Sequence, residues 1–362
     1  MTARRWATAV CAHQLAGSRQ RLPATTLGEE QWAGLLALVE DQRISGFLVS
    51  AIEDGAMPAT DAQAEQAGLA HMRSMHTALL LERLTVELAD ALGTGGVECR
   101  VLKGAAYAHL DYPDPCLRSF GDVDVLVRQR DYERAVEVLV GLGAKRRVPE
   151  LRPGYDRRFG KGGTFVMADG TEVDLHRTFV FGAFGAAIAS DDLFATSAPF
   201  RAGGRELVAL GPEERFLHAC FHAALGAGTP RLLAQRDVVQ ILLGSGVDAT
   251  RARHLAQRWG ASAVVARAVA RAWATFDLAD AVPLSVWAAG YDYDRRERSV
   301  LDLYTTGASY TAQAAATLPA IRGLRPKAAF IRDLVLHRGP RRLRPGGIWQ
   351  GARALAARVA PR

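Results

Sequence analysis

The stretch VLKGAAYAHLDYPDPCLRSFGDVDVLV, residues 101–127, decides the reading of this chain. A short apolar run from Val97 to Leu102 reads as a strand. It turns at Lys103-Gly104 into a helical stretch, Gly104 to Leu110, that stops at Tyr112-Pro113. From Asp122 the pattern changes to period two, with Val123, Val125 and Val127 alternating with Asp122, Asp124 and Leu126. Successive strand side chains point to opposite faces. Asp122 and Asp124 therefore share one face, and the valines enter a core from the other. Two carboxylates on one face repel each other unless a cation lies between them, and a divalent ion is a natural bridge. Taken alone, the Asp-x-Asp pair is equally a solvated strand face.

Three nearby features favour the cation. Asp174, in Val173-Asp174-Leu175-His176, sits on a second strand pattern and offers a third carboxylate for one metal cluster. The glycine of Leu102-Lys103-Gly104 stands where a strand gives way to a helix. Backbone N–H groups can approach an anion there, and Lys103 adds a charge for a phosphate. Arg118 precedes Asp122 by four residues, in reach of a triphosphate or of the acids themselves. Gly121, directly before the pair, joins Lys103, Gly104 and Arg118 as a nucleotide-binding candidate. His176 shares the face of Asp174 and suits a residue that orients a metal ligand or an acceptor.

Working outward, residues 31–52 read as one amphipathic helix, and 61–92 as a longer one stopped by Gly93, Gly95 and Gly96. Asp131 to Leu142 is a helix with Asp131 as N-cap and Gly143 as stop. Thr164–Met167 and Thr171–Arg177 form a hairpin about Asp169-Gly170. Helices return at Pro212–Leu225, Arg231–Leu243, Ala249–Trp259 and Ala261–Phe276, with a short one at 348–359. The expected class is α+β: a small mixed-sheet domain flanked by helical segments. The expected divisions are 1–93 (helical), 94–210 (catalytic), 211–335 (helical) and 336–362 (basic tail).

The 362 residues are 49% apolar and 23% charged, a globular balance with a core that needs no disulfides. Four scattered cysteines without a CxxC pair point to a reduced, cytoplasmic protein. No apolar run spans a membrane, and His13, Gln14 and Arg19 break any signal-peptide pattern. The net charge of +7 gathers in the tail, where ten arginines and one lysine from Arg322 onward face Asp333 alone. Such a tail suits nucleic acid, anionic lipid or an acidic partner, or plain solvation. His218 and His222, four apart on a helix, lack the Glu of a zinc HExxH motif, and a core or groove role is favoured. The basic, glycine-rich segment Arg157 to Gly163 is either a loop over a nucleotide or a mobile turn.

The quoted stretch, followed by a helix and then EVDLHRTF, resembles the poorly characterised bacterial nucleotidyltransferase family of the DNA-polymerase-β-like superfamily. The likeness is good over about 97–180 and looser over 211–276, which includes RDVVQIL. It implies that Asp122 and Asp124 hold two Mg²⁺ ions, or Mn²⁺ in their place. Asp174 would be the third carboxylate, a ligand and base for the acceptor, and Lys103-Gly104 would lie beside the triphosphate of an NTP. Better-known superfamily members carry Gly-Ser or Gly-Gly where this chain has Lys103-Gly104, so a serine contact to phosphate is not expected. The implied reaction moves an NMP to an acceptor left open among peptide, sugar and RNA. Two rival expectations are a non-catalytic nucleotide- or RNA-binding partner of the same fold, and a phosphotransferase that moves the γ-phosphate.

Overall fold

The alternation around Val123 does form a strand, but neither of its faces meets solvent. Val123, Val125, Leu126 and Val127 are buried, and so is Asp124 between them. In the computed structural model, which describes residues 3–225, 230–279, 281–306 and 310–336, this strand lies at the centre of a seven-stranded mixed sheet. The strands are β1 (Cys99–Leu102), β2 (Val123–Val127), β3 (Lys145–Arg146), β4 (Gly162–Val166), β5 (Glu172–His176), β6 (Ser197–Ala202) and β7 (Arg205–Leu210). Their order across the sheet is β3-β4-β5-β2-β1-β7-β6. β2 runs antiparallel to β1 and parallel to β5, which places Leu102 opposite Asp124 and Asp124 opposite Asp174.

The expected α+β class holds, with helices before and after the sheet. The 34-residue helix Asp61–Thr94 is capped by Thr60, whose hydroxyl accepts from the Gln63 N–H. It packs on β1, β2, β7 and the helix Tyr132–Gly141. Helices Pro212–Ala224, Leu232–Gly244, Ala249–Arg258 and Ser262–Phe276 match the expected set within a residue or two. Asp131 does stand at the N-cap of Tyr132–Gly141, but its side chain makes no capping hydrogen bond. The β4–β5 hairpin turns at Asp169-Gly170, with Gly170 at φ +89°.

Two departures matter. The helix expected over 31–52 is two helices, Glu29–Gln42 and Ser45–Glu53, broken at Arg43 in the left-handed region (φ 58°, ψ 44°). No glycine or proline announces that break. The β6–β7 hairpin escaped the period-two reading, although its turn is Gly203-Gly204 with both φ values positive, a recognisable two-residue connection. The helix expected at 348–359, and nearly all of the basic tail, lie outside the described residues. Among the described residues no helix is long and apolar enough to cross a membrane. All four cysteines are unpaired.

Candidate metal and phosphate site

A carboxylate at a fully buried strand position needs compensation, because desolvation otherwise opposes its charge strongly. Asp124, 3% exposed, receives it from two sides. His176 Nε2 donates to Asp124 Oδ1 at 2.8 Å, and Lys103 Nζ lies 2.9 Å from Oδ2. Burial pushes the Asp124 carboxyl up, but Lys103 and His176 outweigh it and hold it well below the usual carboxylate range. Burial likewise pulls the Lys103 ammonium down, and Asp124 and Asp122 together raise it above its ordinary value. The lysine reaches inward because the chain turns sharply at the end of β1. Lys103 has φ 39° and ψ −136°, and Gly104 has φ 35°. A non-glycine residue so placed is strained by roughly 1–3 kcal/mol and persists only where its surroundings fix it.

Asp174 stands beside Asp124 on β5. Thr164 Oγ1 donates to Asp174 Oδ1 at 2.5 Å, and Lys161 Nζ approaches Oδ2 at 3.2 Å. Burial raises this carboxyl, and Lys161, His176 and Thr164 bring it below its ordinary value. Lys161 belongs to the basic, glycine-rich segment, so at least that residue turns onto the acids. The segment runs straight into β4 at Gly162 (φ 144°), where a Cβ would collide with the Leu175 carbonyl.

Among the described residues, Asp124, Asp174 and His176 form the group of His, Cys, Asp and Glu side chains spaced for a metal, with one ligand atom of each within 4.8 Å of the others. Asp122 stands outside it. It directly precedes β2 and lines an adjoining cavity of about 220 Å³. Burial and the neighbouring Asp124 charge push its carboxyl up, against Lys103 and Arg43. The cavity is also lined by Arg43, Lys103, Gly104, Arg118, His222, Arg231 and Asp237. The fit to a cation rests on one atom. Asp124 Oδ2 is buried, and despite the nearby ammonium it has no hydrogen-bond partner of good geometry among the described residues. A hard divalent cation takes such an oxygen, with a second carboxylate beside it.

Arg118 lines the cavity, but it does not fill the second of its two expected roles, neutralising the acids. It reaches neither acid of the Asp-x-Asp pair by an ion pair. Its Nε and Nη2 donate to Asp237 Oδ1 and Oδ2 at 2.8 and 2.9 Å, and Nη1 donates to the Gly104 carbonyl at 3.2 Å. Tyr112 completes the network by donating its hydroxyl to Asp237 Oδ1 at 2.8 Å. Asp237 is the acid of RDVVQIL, and only spatial closeness reveals its pairing with Arg118.

His218 and His222 belong to no metal-spaced group among the described residues. His218 is buried against Tyr107, its Nδ1 3.0 Å from the phenol oxygen. Burial, with Lys103 and His176 nearby, holds its imidazole well below the usual range. His222 opens onto the cavity. Gly121 is not left-handed, but a Cβ there would run into the Arg43 guanidinium.

Aligned carboxylates on parallel strands, lysines on each, and a cationic cavity alongside define a candidate site for a divalent cation and an anion. The chain belongs to a family described as uncharacterised nucleotidyltransferase, whose model matches residues 28–277. No curated protein matches it. Among solved structures, an antigenic nucleotidyltransferase-like protein from Paracoccidioides brasiliensis is similar at 14% identity and a TM-score of 0.34, over 55% of this chain and 92% of that one. That likeness is too loose to build on.

Proposed function

We propose that this protein is a divalent-cation-dependent nucleotidyltransferase, moving an NMP from an NTP to an acceptor oxygen of a peptide, a sugar or RNA. The supporting observation is the juxtaposition of Asp124 and Asp174 across β2 and β5, with an unsatisfied carboxylate oxygen facing Lys103. Family membership supports the same reaction class.

In this reading the acceptor oxygen gives up its proton to solvent and bonds to the α-phosphorus as the α–β anhydride bond breaks, and pyrophosphate leaves. Asp124 and Asp174, with Asp122 on the cavity side, would hold Mg²⁺ or Mn²⁺, which when bound would lower the acceptor's pKa and stabilise the departing charge. The chain's own work is positioning and charge compensation. Lys103 and Lys161 neutralise the carboxylates, and Lys103 with the backbone N–H groups at the start of helix Gly104–Asp111 faces the phosphates. His176 fixes Asp124 through Oδ1, as a hydrogen bond behind a metal ligand does, and Oδ2, held only by the Lys103 ion pair, would be the oxygen a cation takes. Asp174, held below its ordinary pKa, suits a ligand that stays ionised better than a general base. Of the two roles that family resemblance suggests for it, this reading keeps the ligand and not the base.

The test is to incubate the protein with Mg²⁺, candidate acceptors and NTP labelled at the α- or the γ-phosphate. Label reaching the acceptor from the α position is expected. Label arriving from the γ position alone overturns the reading in favour of phosphotransfer.

A further inference from the structure

The N-terminal helical segment places one cation in this site that the nucleotide motif does not contain. We infer that Arg43 is a polyphosphate-binding residue of the cavity beside Asp122, and that Gly121 lacks a side chain in order to seat it. The inference rests on the nucleotidyltransferase reading for the identity of the polyphosphate, the triphosphate of the substrate or the pyrophosphate product.

Four observations carry it. First, Arg43 breaks a helical stretch by adopting the left-handed region, uncommon for a long side chain. Its position is fixed from three directions. Its carbonyl accepts from Ser119 Oγ at 3.3 Å, the neighbouring Gln42 Oε1 accepts from the Leu232 N–H at 2.8 Å, and the Asp41 carbonyl accepts from Arg231 Nη1 at 3.4 Å. Second, the Arg43 guanidinium makes no hydrogen bond or ion pair with any described residue, whereas Arg118 on the same cavity is wholly committed to Asp237 and Gly104. The Arg43 N–H donors are unengaged, with only the Asp122 charge felt nearby among the described residues, so its planar fork is left to match phosphate oxygens.

Third, it lies against Gly121, where a methyl group would displace it. Without a Cβ the guanidinium end can lie there, and a Cβ would push it aside; the backbone itself is not left-handed. Fourth, the cavity's size and charge select the ligand. Its volume of about 220 Å³ falls short of the roughly 300–1,000 Å³ of sites that enclose whole small molecules. It suits a chain of phosphates, with the base outside. Arg43 and Arg231 outnumber Asp122, once Arg118 cancels Asp237 and Lys103 cancels Asp124.

The probe is inorganic pyrophosphate, which is independent of the base and of the acceptor, titrated calorimetrically into the full chain. Arg43→Gln is expected to weaken binding by about tenfold or more, as loss of a charge-assisted hydrogen bond does. Arg43→Lys should recover part of it. Gly121→Ala, which retains the arginine but fills its seat, should weaken binding severalfold with an unchanged melting temperature. Wild-type binding no tighter than that of Arg43→Gln, or a Gly121→Ala protein that binds like wild type, overturns the inference. The labelling experiment fails separately: Arg43-dependent pyrophosphate binding together with γ-only transfer would retain this phosphate site and discard nucleotidyl transfer.

Discussion

Two clusters of buried charge lie side by side in this molecule and are built on opposite plans. Around Asp237 every strong group is answered: Arg118 grips both carboxylate oxygens, Tyr112 donates to one of them, and the remaining guanidinium nitrogen caps the Gly104 carbonyl. Around Asp124 the opposite holds. His176 satisfies one oxygen, and the other faces an ammonium without a proper hydrogen bond. A closed network ties the Gly104–Arg118 stretch to the helix Leu232–Gly244 and holds shape. An open one keeps an unspent coordination position. An arginine just upstream of an Asp-x-Asp pair reads as a cation for a triphosphate or for the acids. The fold instead commits it to architecture, and through Gly104 that architecture supports the strained turn that presents Lys103.

The contrast breaks most visibly at its open end. Asp124→Asn should cut transfer from α-labelled NTP by about a thousandfold or more, since several kcal/mol of charge stabilisation go with it, while circular dichroism stays native. An active Asp124→Asn protein would remove the distinction. At the closed end, Asp237→Ala should lower unfolding free energy by about 3–5 kcal/mol in urea titration, because it strands the buried Arg118. Arg118→Met combined with Asp237→Leu should recover most of that loss, as expected of a pair that holds shape. Tyr112→Phe removes one hydrogen bond to a charged group and should cost about 1.5–3 kcal/mol by the same assay.

The mildest effect is one of pH. His218, kept neutral by burial, has a folded pKa below its unfolded value of about 6.5. Below that pH the unfolded chain binds the extra proton. The stability His218 allows is therefore fully present above about pH 6.5, and is lost as pH falls by up to about 1.4 kcal/mol per unit. His218→Gln should flatten that slope in urea titrations between pH 6.5 and 5. An unchanged slope would mean that His218 is not held neutral.

Period two at Val123–Val127 and the glycine stops of the long helix were legible because each signal is local. The pairing of Asp124 with Asp174 was half legible. Each acid showed on its own strand, but their opposition depends on β2 and β5 being parallel neighbours, a tertiary fact. Asp122 illustrates the limit, since it precedes the strand and faces the cavity instead of joining the Asp124–Asp174–His176 group. Arg43 carried no functional signal and Asp237 only its place in the loosely matched RDVVQIL, because what matters about them is a contact across 78 and 119 residues of chain, Gly121 for the one and Arg118 for the other. The left-handed turn at Arg43 was hidden for another reason: helical periodicity continues through it, and packing against Ser119 and Leu232 fixes the break. The β6–β7 hairpin, by contrast, was marked by Gly203-Gly204 all along.

The central claim is that the open cluster, and not its closed neighbour, takes a divalent cation. Titration with Mn²⁺ followed by electron paramagnetic resonance tests it without an acceptor or a nucleotide. Wild-type protein and the Arg118→Met, Asp237→Leu double variant should bind Mn²⁺ alike, and Asp124→Asn and Asp174→Asn should not bind it. Undiminished Mn²⁺ binding by both aspartate variants would contradict the account.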